Sequence, residues 1–200
     1  MPKTKEQFEQ IRQERMSTIL RSALNLFVMK GYNAFSLDEI TKDAKCSHGL
    51  LYHYFHSKEE LYEAVLNQIV YPSTIRIVEN VNIDQKAIFV IHDLLDTTLK
   101  VIKSPNDERV KELYLLLNIH LQKSLPIIKK NEKGHTQIFA TVEDLIERGK
   151  REGDINDYTT VELTIAILSM IKGLAFNRVH IGYKRFVCPH SEVIMEMLLR

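Results

Sequence analysis

Apolar residues in this chain recur at the helical period, and few residues interrupt that period. Between Phe8 and Lys30, the residues Met16, Ile19, Leu20, Ala23, Leu26 and Phe27 fall at three- and four-residue steps, one face of an amphipathic helix. Gly31 follows where a C-cap is expected. Seven Gly and five Pro in 200 residues are few, and strand-like alternation bounded by turn pairs is hard to find. The pattern predicts an all-α fold.

Helix starts are marked by caps. Ser36 with Glu39, and Ser57 with Glu60, have capping-box spacing, in which the Ser oxygen accepts from an early helix N–H and the Glu reaches back. Ser47 is the expected N-cap of the segment running to Phe55. The first ~70 residues therefore predict four helices, the middle two about two turns long. Beyond Pro72 the segments lengthen, with helices expected near 84–103, 107–123, 127–150 and 158–181 and a short one near 190–199. Breaks fall at Ser104-Pro105-Asn106, Ser124-Leu125-Pro126, Gly153-Asp154 and Cys188-Pro189-His190. The division expected is an N-terminal domain, 1–70, and a helical C-terminal domain, 71–200. The segment Val161–Val179 is apolar nearly all round, so several sides need covering, by its own domain and by a partner chain.

Composition excludes more than it suggests. Hydrophobic residues at 44% and charged residues at 26% describe an ordinary soluble globule, with 27 Lys+Arg against 26 Asp+Glu leaving +1. No overall basic field points to nucleic acid. Cys46 and Cys188 are too far apart in sequence for a metal-ligand spacing, which excludes a disulfide scaffold and favours a reducing, cytoplasmic compartment. Residues Met1–Glu6 are charged and lack the apolar run of a signal peptide. The greasy stretch Val161–Phe176 is interrupted by Glu162 and Lys172, which argues against a membrane span. The histidines show no metalloenzyme spacing, and no Gly-rich phosphate loop, nucleophile elbow or paired-carboxylate motif accompanies them. Neither a metal, nor a cofactor, nor enzymatic activity is expected.

Two short helices joined by a tight turn form a helix-turn-helix, whose second member can enter the major groove. Asp38–Ala44 would be the first member and His48–Phe55 the second. Leu51 and Phe55, four apart, share a face that would pack on Ile40 and the first helix. His48, Gly49, Tyr52 and His53 would then face outward. Short helix pairs are common in bundles, so spacing alone decides little.

The residues add to it. The segments Arg21–Phe27, Gly31-Tyr32, Ser36–Ile40, Ser47-His48-Gly49-Leu50-Leu51-Tyr52-His53-Tyr54-Phe55 and Ser57-Lys58-Glu59-Glu60-Leu61 together resemble the N-terminal domain of the tetracycline-repressor (TetR) family. The match runs over roughly residues 15 to 66, in the order and spacing of all four elements. What the resemblance implies is a homodimeric, ligand-responsive transcription factor, usually a repressor. Its N-terminal helices would bind a near-palindromic DNA operator, and its divergent C-terminal helices a small, largely apolar effector and the partner subunit.

On that resemblance the DNA-contacting candidates are Ser36, Lys45, Ser47, His48, Gly49, Leu50, Tyr52, His53, Tyr54 and Lys58. A phenol can donate to a phosphate while its ring packs on sugar or a thymine methyl, although either tyrosine ring could instead bury against the scaffold. Lys58 opens a helix whose N-terminal amides favour an anion, and is otherwise a solvated surface lysine. Ser36 and Ser47 are first of all caps. His48 stands where many relatives carry Lys or another long polar residue, and its charge fades above a pKa near ~6.5. Lys45 replaces the common turn glycine, so a left-handed non-Gly residue is expected at modest cost. Residues 1–60 hold nine Lys+Arg and eight Asp+Glu, so DNA affinity must rest on a few placed cations and on dimerisation.

For the effector, Phe89, His92, Tyr114, His120, Phe139, Met170 and Phe176 are the candidate pocket residues, an apolar lining with two polar groups. Aromatics at helical spacing are more often core residues. For the dimer, the candidates are Leu163, Ile167, Met170, Ile171 and Leu174 on the long apolar helix, with Val193, Ile194, Met197 and Leu198 on the last. Two rival readings are an enzyme or carrier built on 71–200, and an architectural DNA-binding protein without an effector.

Overall fold

A computed structural model describes residues 4–73, 82–118 and 132–200, with side chains in the last stretch from 138 onward. Among these residues the chain is helical, and its one pairing of extended backbone is an antiparallel bridge between Ile155 and Leu199. Two compact units, Met1–Tyr71 and Pro72–Arg200, divide it.

In the first unit α1 spans Lys5–Lys30, α2 Leu37–Asp43, α3 His48–Tyr54 and α4 Lys58–Val65, continued by a π-helical turn over Leu66–Val70. Thr4 and Gln7 form a capping box at the start of α1, three residues before the apolar period begins. Gly31 ends α1 with φ of +78°, and its N–H donates to the Phe27 carbonyl at 3.0 Å. Glu39 reaches back to the Ser36 N–H at 3.2 Å, and Ser47 Oγ accepts from the Leu50 N–H at 3.2 Å, as their spacing predicts. At α4 the box is displaced: Ser57 Oγ accepts from the Glu60 N–H, but Glu60 takes the N–H of His56 at 2.6 Å rather than that of Ser57.

The first unit's core gathers Ile19, Ala23, Leu24 and Phe27 of α1 with Ile40, Leu51, Phe55, Leu61 and Val65, all buried. An aromatic knot closes it, with Phe27 stacked on Tyr32 at 5.8 Å and edge-on to Phe35 and Tyr62 at 5.0 and 4.7 Å. Edge-to-face pairs of this kind add about 0.5–1.5 kcal/mol each beyond the area they bury.

In the second unit α5 spans Ala87–Lys103, α6 Asp107–Asn118, α7 Glu132–Glu152, α8 Thr160–Ile181 and α9 Ser191–Met195. α5, α6, α8 and α9 start within three residues of the expected positions. α8 packs on α6, α7 and α5, while α5 also holds α9. Their common core includes Ile91, Leu95, Leu99, Ile102, Ile146, Ile167, Ile171 and Ile194. Gly149 on α7 is required by close approach: a Cβ there would lie 2.5 Å from Ile155 Cδ1. Glu152 accepts from the Ala87 N–H at 2.7 Å, and Arg148 donates to the carbonyls of Ile83 and Gln85, so α7 secures the start of α5.

α8 is the long apolar helix the sequence predicts, and by length and composition alone it passes the same test as a membrane span, as core helices of globular proteins also do. One face (Leu163, Thr164, Ile167, Leu168, Ile171, Ala175, Arg178) is buried in its own unit. The opposite stripe of Val161, Ile165, Ser169, Phe176 and His180 is exposed.

Candidate nucleic-acid interface

Helices α2 and α3 meet through a tight turn at Ala44–Ser47. Lys45 adopts φ of +50°, the left-handed conformation expected where a glycine is commoner, at about 1–2 kcal/mol of local strain for a non-Gly residue. The Cys46 N–H donates back to the Thr41 carbonyl at 2.9 Å, closing the turn. Cys46 is half-buried, and that burial pushes its thiol pKa up despite nearby Arg15.

The i,i+4 pair Leu51 and Phe55 anchors α3 by its inner face, both side chains being buried. That rotation leaves His48, Gly49, Tyr52 and His53 exposed on the outer face, as their spacing predicts. Tyr52 is 47% exposed, large for an aromatic ring on a packed helix. Nothing lies within 4 Å of where a Gly49 Cβ would be, so the surface there is open. Ser36, Lys45 and Ser47 are exposed beside this face, and Leu50 is half-buried.

Three residues have commitments that the sequence does not reveal. The Tyr54 hydroxyl donates to the Arg12 carbonyl of α1 at 3.5 Å, and its ring is half-buried. Lys58 lies inward: its ammonium donates to the Phe35 carbonyl at 2.6 Å and sits 3.8 Å from the centre of the Phe35 ring. Burial lowers the Lys58 pKa from its usual value, partly offset by Glu59 and Glu39. His48 Nε2 lies 3.6 Å from Asp38 Oδ1 and 3.5 Å from Thr41 Oγ1, both on α2. Asp38 is a neighbour of His48 that the sequence alone does not place there. Ten positions separate it from His48, and only the folded turn brings them together.

Two further contacts stiffen the frame. Tyr32 donates to Glu59 at 2.7 Å, and this bond is the main cause holding the Glu59 carboxyl below its usual range. Lys30 pairs with Glu39, whose carboxyl is likewise lowered by that bond first and by the Ser36 N–H second.

Of the effector candidates, Tyr114, Phe139 and Met170 are half-buried and His120 lies outside the described residues. His92 sits 3.4 Å from Ser191 Oγ and faces Asp93 and Glu192 at 3.7 and 4.0 Å. Phe89 is 56% exposed, because α5 turns Ile88, Ile91, Leu95 and Leu99 inward. Phe176 is also outward, stacked on His180 at 4.1 Å. The dimer candidates divide too. Leu163, Ile167, Ile171, Ile194 and Leu198 are buried in the protomer's own core. Met170 and Leu174 are half-buried against that core, while Val193 and Met197 are exposed.

A helix-turn-helix with a packed inner face and an open, polar outer face defines a DNA-binding class of domain. Residues 19–65 match the family described as bacterial regulatory proteins, tetR family, over the second half of α1 and all of α2 to α4. The chain is similar to the uncharacterized HTH-type transcriptional regulator YuxN of Bacillus subtilis (strain 168), 48% identical over 54 residues, 27% of this chain. That similarity spans only 19% of YuxN. Similarity to the HTH-type transcriptional repressor BepR of Brucella suis biovar 1 (strain 1330) is weaker but longer, 20% identity over 86% of this chain and 84% of BepR. The crystal structure of a linker-substituted HlyIIR mutant protein shares the fold, with a TM-score of 0.70 at 20% identity over 94% of this chain and 98% of that one.

Proposed function

We propose that the chain is a homodimeric, ligand-responsive DNA-binding regulator, acting as a repressor released by a small, largely apolar effector. The observation that carries the reading is α3, fixed by Leu51 and Phe55 and presenting His48, Gly49, Tyr52 and His53 to solvent. Two such helices in a two-fold dimer would meet successive major grooves ~34–36 Å apart on a near-palindromic operator. Tyr52 is the residue on which base or phosphate contact chiefly falls. Ser36, Lys45, Ser47, Leu50 and Tyr54 flank it as backbone-positioning groups, and Lys58 reaches phosphate only by leaving the Phe35 carbonyl.

The second copy is proposed to cover the exposed stripe of α8, Val161, Ile165 and Phe176, together with Val193 and Met197 near the C-terminus. The half-buried Tyr114, Phe139 and Met170, with His92, suit an effector site that is mainly apolar with one polar group. An effector would release DNA by binding more tightly to the state in which the two α3 helices are wrongly spaced. BepR is named a repressor, which supports the sign of regulation proposed here.

Gel-shift titration of Tyr52→Ala tests the docking. The variant is expected to bind operator about tenfold or more weakly, since a good contact is worth about 1–3 kcal/mol, while keeping a helical circular dichroism spectrum. Wild-type affinity in this variant would show that DNA meets another face.

A further inference from the structure

The sequence of α3, His-Gly-Leu-Leu-Tyr-His-Tyr, contains no Lys or Arg. Its only basic side chains are His48 and His53, and both are exposed. The rest of the N-terminal segment does little to compensate, since residues 1–60 carry nine Lys+Arg against eight Asp+Glu. We propose that operator binding by this protein is proton-linked, His48 and His53 taking up protons as they meet DNA, so that the protein holds its operator more tightly as pH falls through neutrality. The inference rests on the reading of α3 as the DNA-facing helix and adds a regulatory input to it.

The surroundings of both rings permit it. His48 opens α3, with Asp38 at 3.6 Å and Thr41 at 3.5 Å across the turn on α2. Asp38 is itself well exposed, so water screens the pair and a phosphate oxygen can replace the carboxylate. Glu39, Lys42 and Asp43 are the other charged residues of α2, and Lys45 occupies the turn. His53 lies in the last turn of α3, where the helix dipole favours a cation. Its ring meets Tyr54 edge-on at 5.4 Å, and Tyr54 in turn contacts the Arg12 carbonyl of α1. α4 contributes Lys58, Glu59 and Glu60, with Lys58 turned inward and Glu60 engaged by the His56 N–H.

The sign follows from linkage. A phosphate beside an imidazole favours its charged form, so the pKa in the complex lies above that in the free protein. The extra affinity is fully present below the free-state pKa and is lost as pH rises through the bound-state value. Histidine is the side chain whose charge changes between about pH 5 and 8, which places the readout across neutrality. Each histidine whose pKa rises by about one unit contributes about tenfold.

Fluorescence anisotropy of the full chain, on DNA recovered by selection from a random pool at both pH values, tests this at about pH 6 and about pH 8 and constant ionic strength. Wild type is expected to bind at least about tenfold more tightly at the lower pH, with a steeper salt dependence there. His48→Gln/His53→Gln should bind at both pH values with the wild type's weak high-pH affinity. His48→Lys/His53→Lys should bind tightly and equally at both. A wild-type change below about threefold, or a Gln variant that keeps the wild-type slope, overturns the proton linkage. Failure of the wild type to recover or bind any DNA at either pH overturns the DNA-facing reading of α3 instead. All four side-chain changes are at exposed positions, and circular dichroism at both pH values checks that the variants are folded.

Discussion

If the proposed two-fold dimer forms through α8, Phe176→Asp is expected to yield a folded monomer and to cut operator affinity by about 10²–10⁴-fold. That range is the gain when a second binding module is tethered to a first. Phe176 is 47% exposed and Ile165 52% exposed on the outer stripe of α8. An aspartate at either position stays in water in the monomer, where surface changes usually alter stability by no more than about 0.5 kcal/mol. In a dimer the same carboxylate would be buried against its symmetry mate and repelled by it, a strongly unfavourable placement. Sedimentation velocity at micromolar concentration reads the assembly, and gel shift reads the affinity. Retained dimerisation in both Phe176→Asp and Ile165→Asp would place the interface elsewhere.

Asp107→Ala is expected to destabilise the C-terminal unit by about 2–3 kcal/mol, near the low end for breaking an ion pair with a buried member. Arg178, on the inner face of α8, is 2% exposed, and its Nη2 donates to Asp107 Oδ1 at 2.6 Å and to the Ser104 carbonyl at 2.8 Å. These bonds fasten the end of α8 to the turn before α6. Removing Asp107 takes the carboxylate from a buried guanidinium and leaves it the Ser104 carbonyl. The effect stays at the low end because the Asp107 side chain is 61% exposed and the pair is partly screened. Arg178→Met, which removes the cation while keeping most of the volume, should cost less than Asp107→Ala. Urea denaturation of the two variants compares them, and equal midpoints for Asp107→Ala and wild type would contradict the account.

What could be read in advance follows the range of the interactions involved. Helix faces and caps depend on residues three or four apart, so α3, its inward Leu51 and Phe55 and its outward His48 and Tyr52 are visible in the sequence. So is the left-handed turn at Lys45. The start of α1 is less visible, because its Thr4–Gln7 box precedes the apolar period rather than accompanying it. Lys58 shows the limit clearly: the carbonyl it binds is 23 positions away, and helix position alone made it a free phosphate ligand. The same limit explains the dimer candidates. An all-round apolar helix does not say which face its own chain covers, and α8 turned Leu163, Ile167 and Ile171 inward while leaving Val161, Ile165 and Phe176 outside. Arg178 was hidden for a related reason, since its acceptors lie 71 and 74 positions upstream.

The near-zero charge of the chain, which on composition alone argues against nucleic acid, is compatible with a reader that presents a few groups twice. The most direct test is a hydroxyl-radical footprint of the wild-type protein on DNA selected from a random pool. The account predicts a near-palindromic sequence protected in two patches on one face, centred about 10–10.5 base pairs apart, with both patches lost in Tyr52→Ala. Recovery of no preferred sequence, or a footprint that Tyr52→Ala leaves intact, would contradict it.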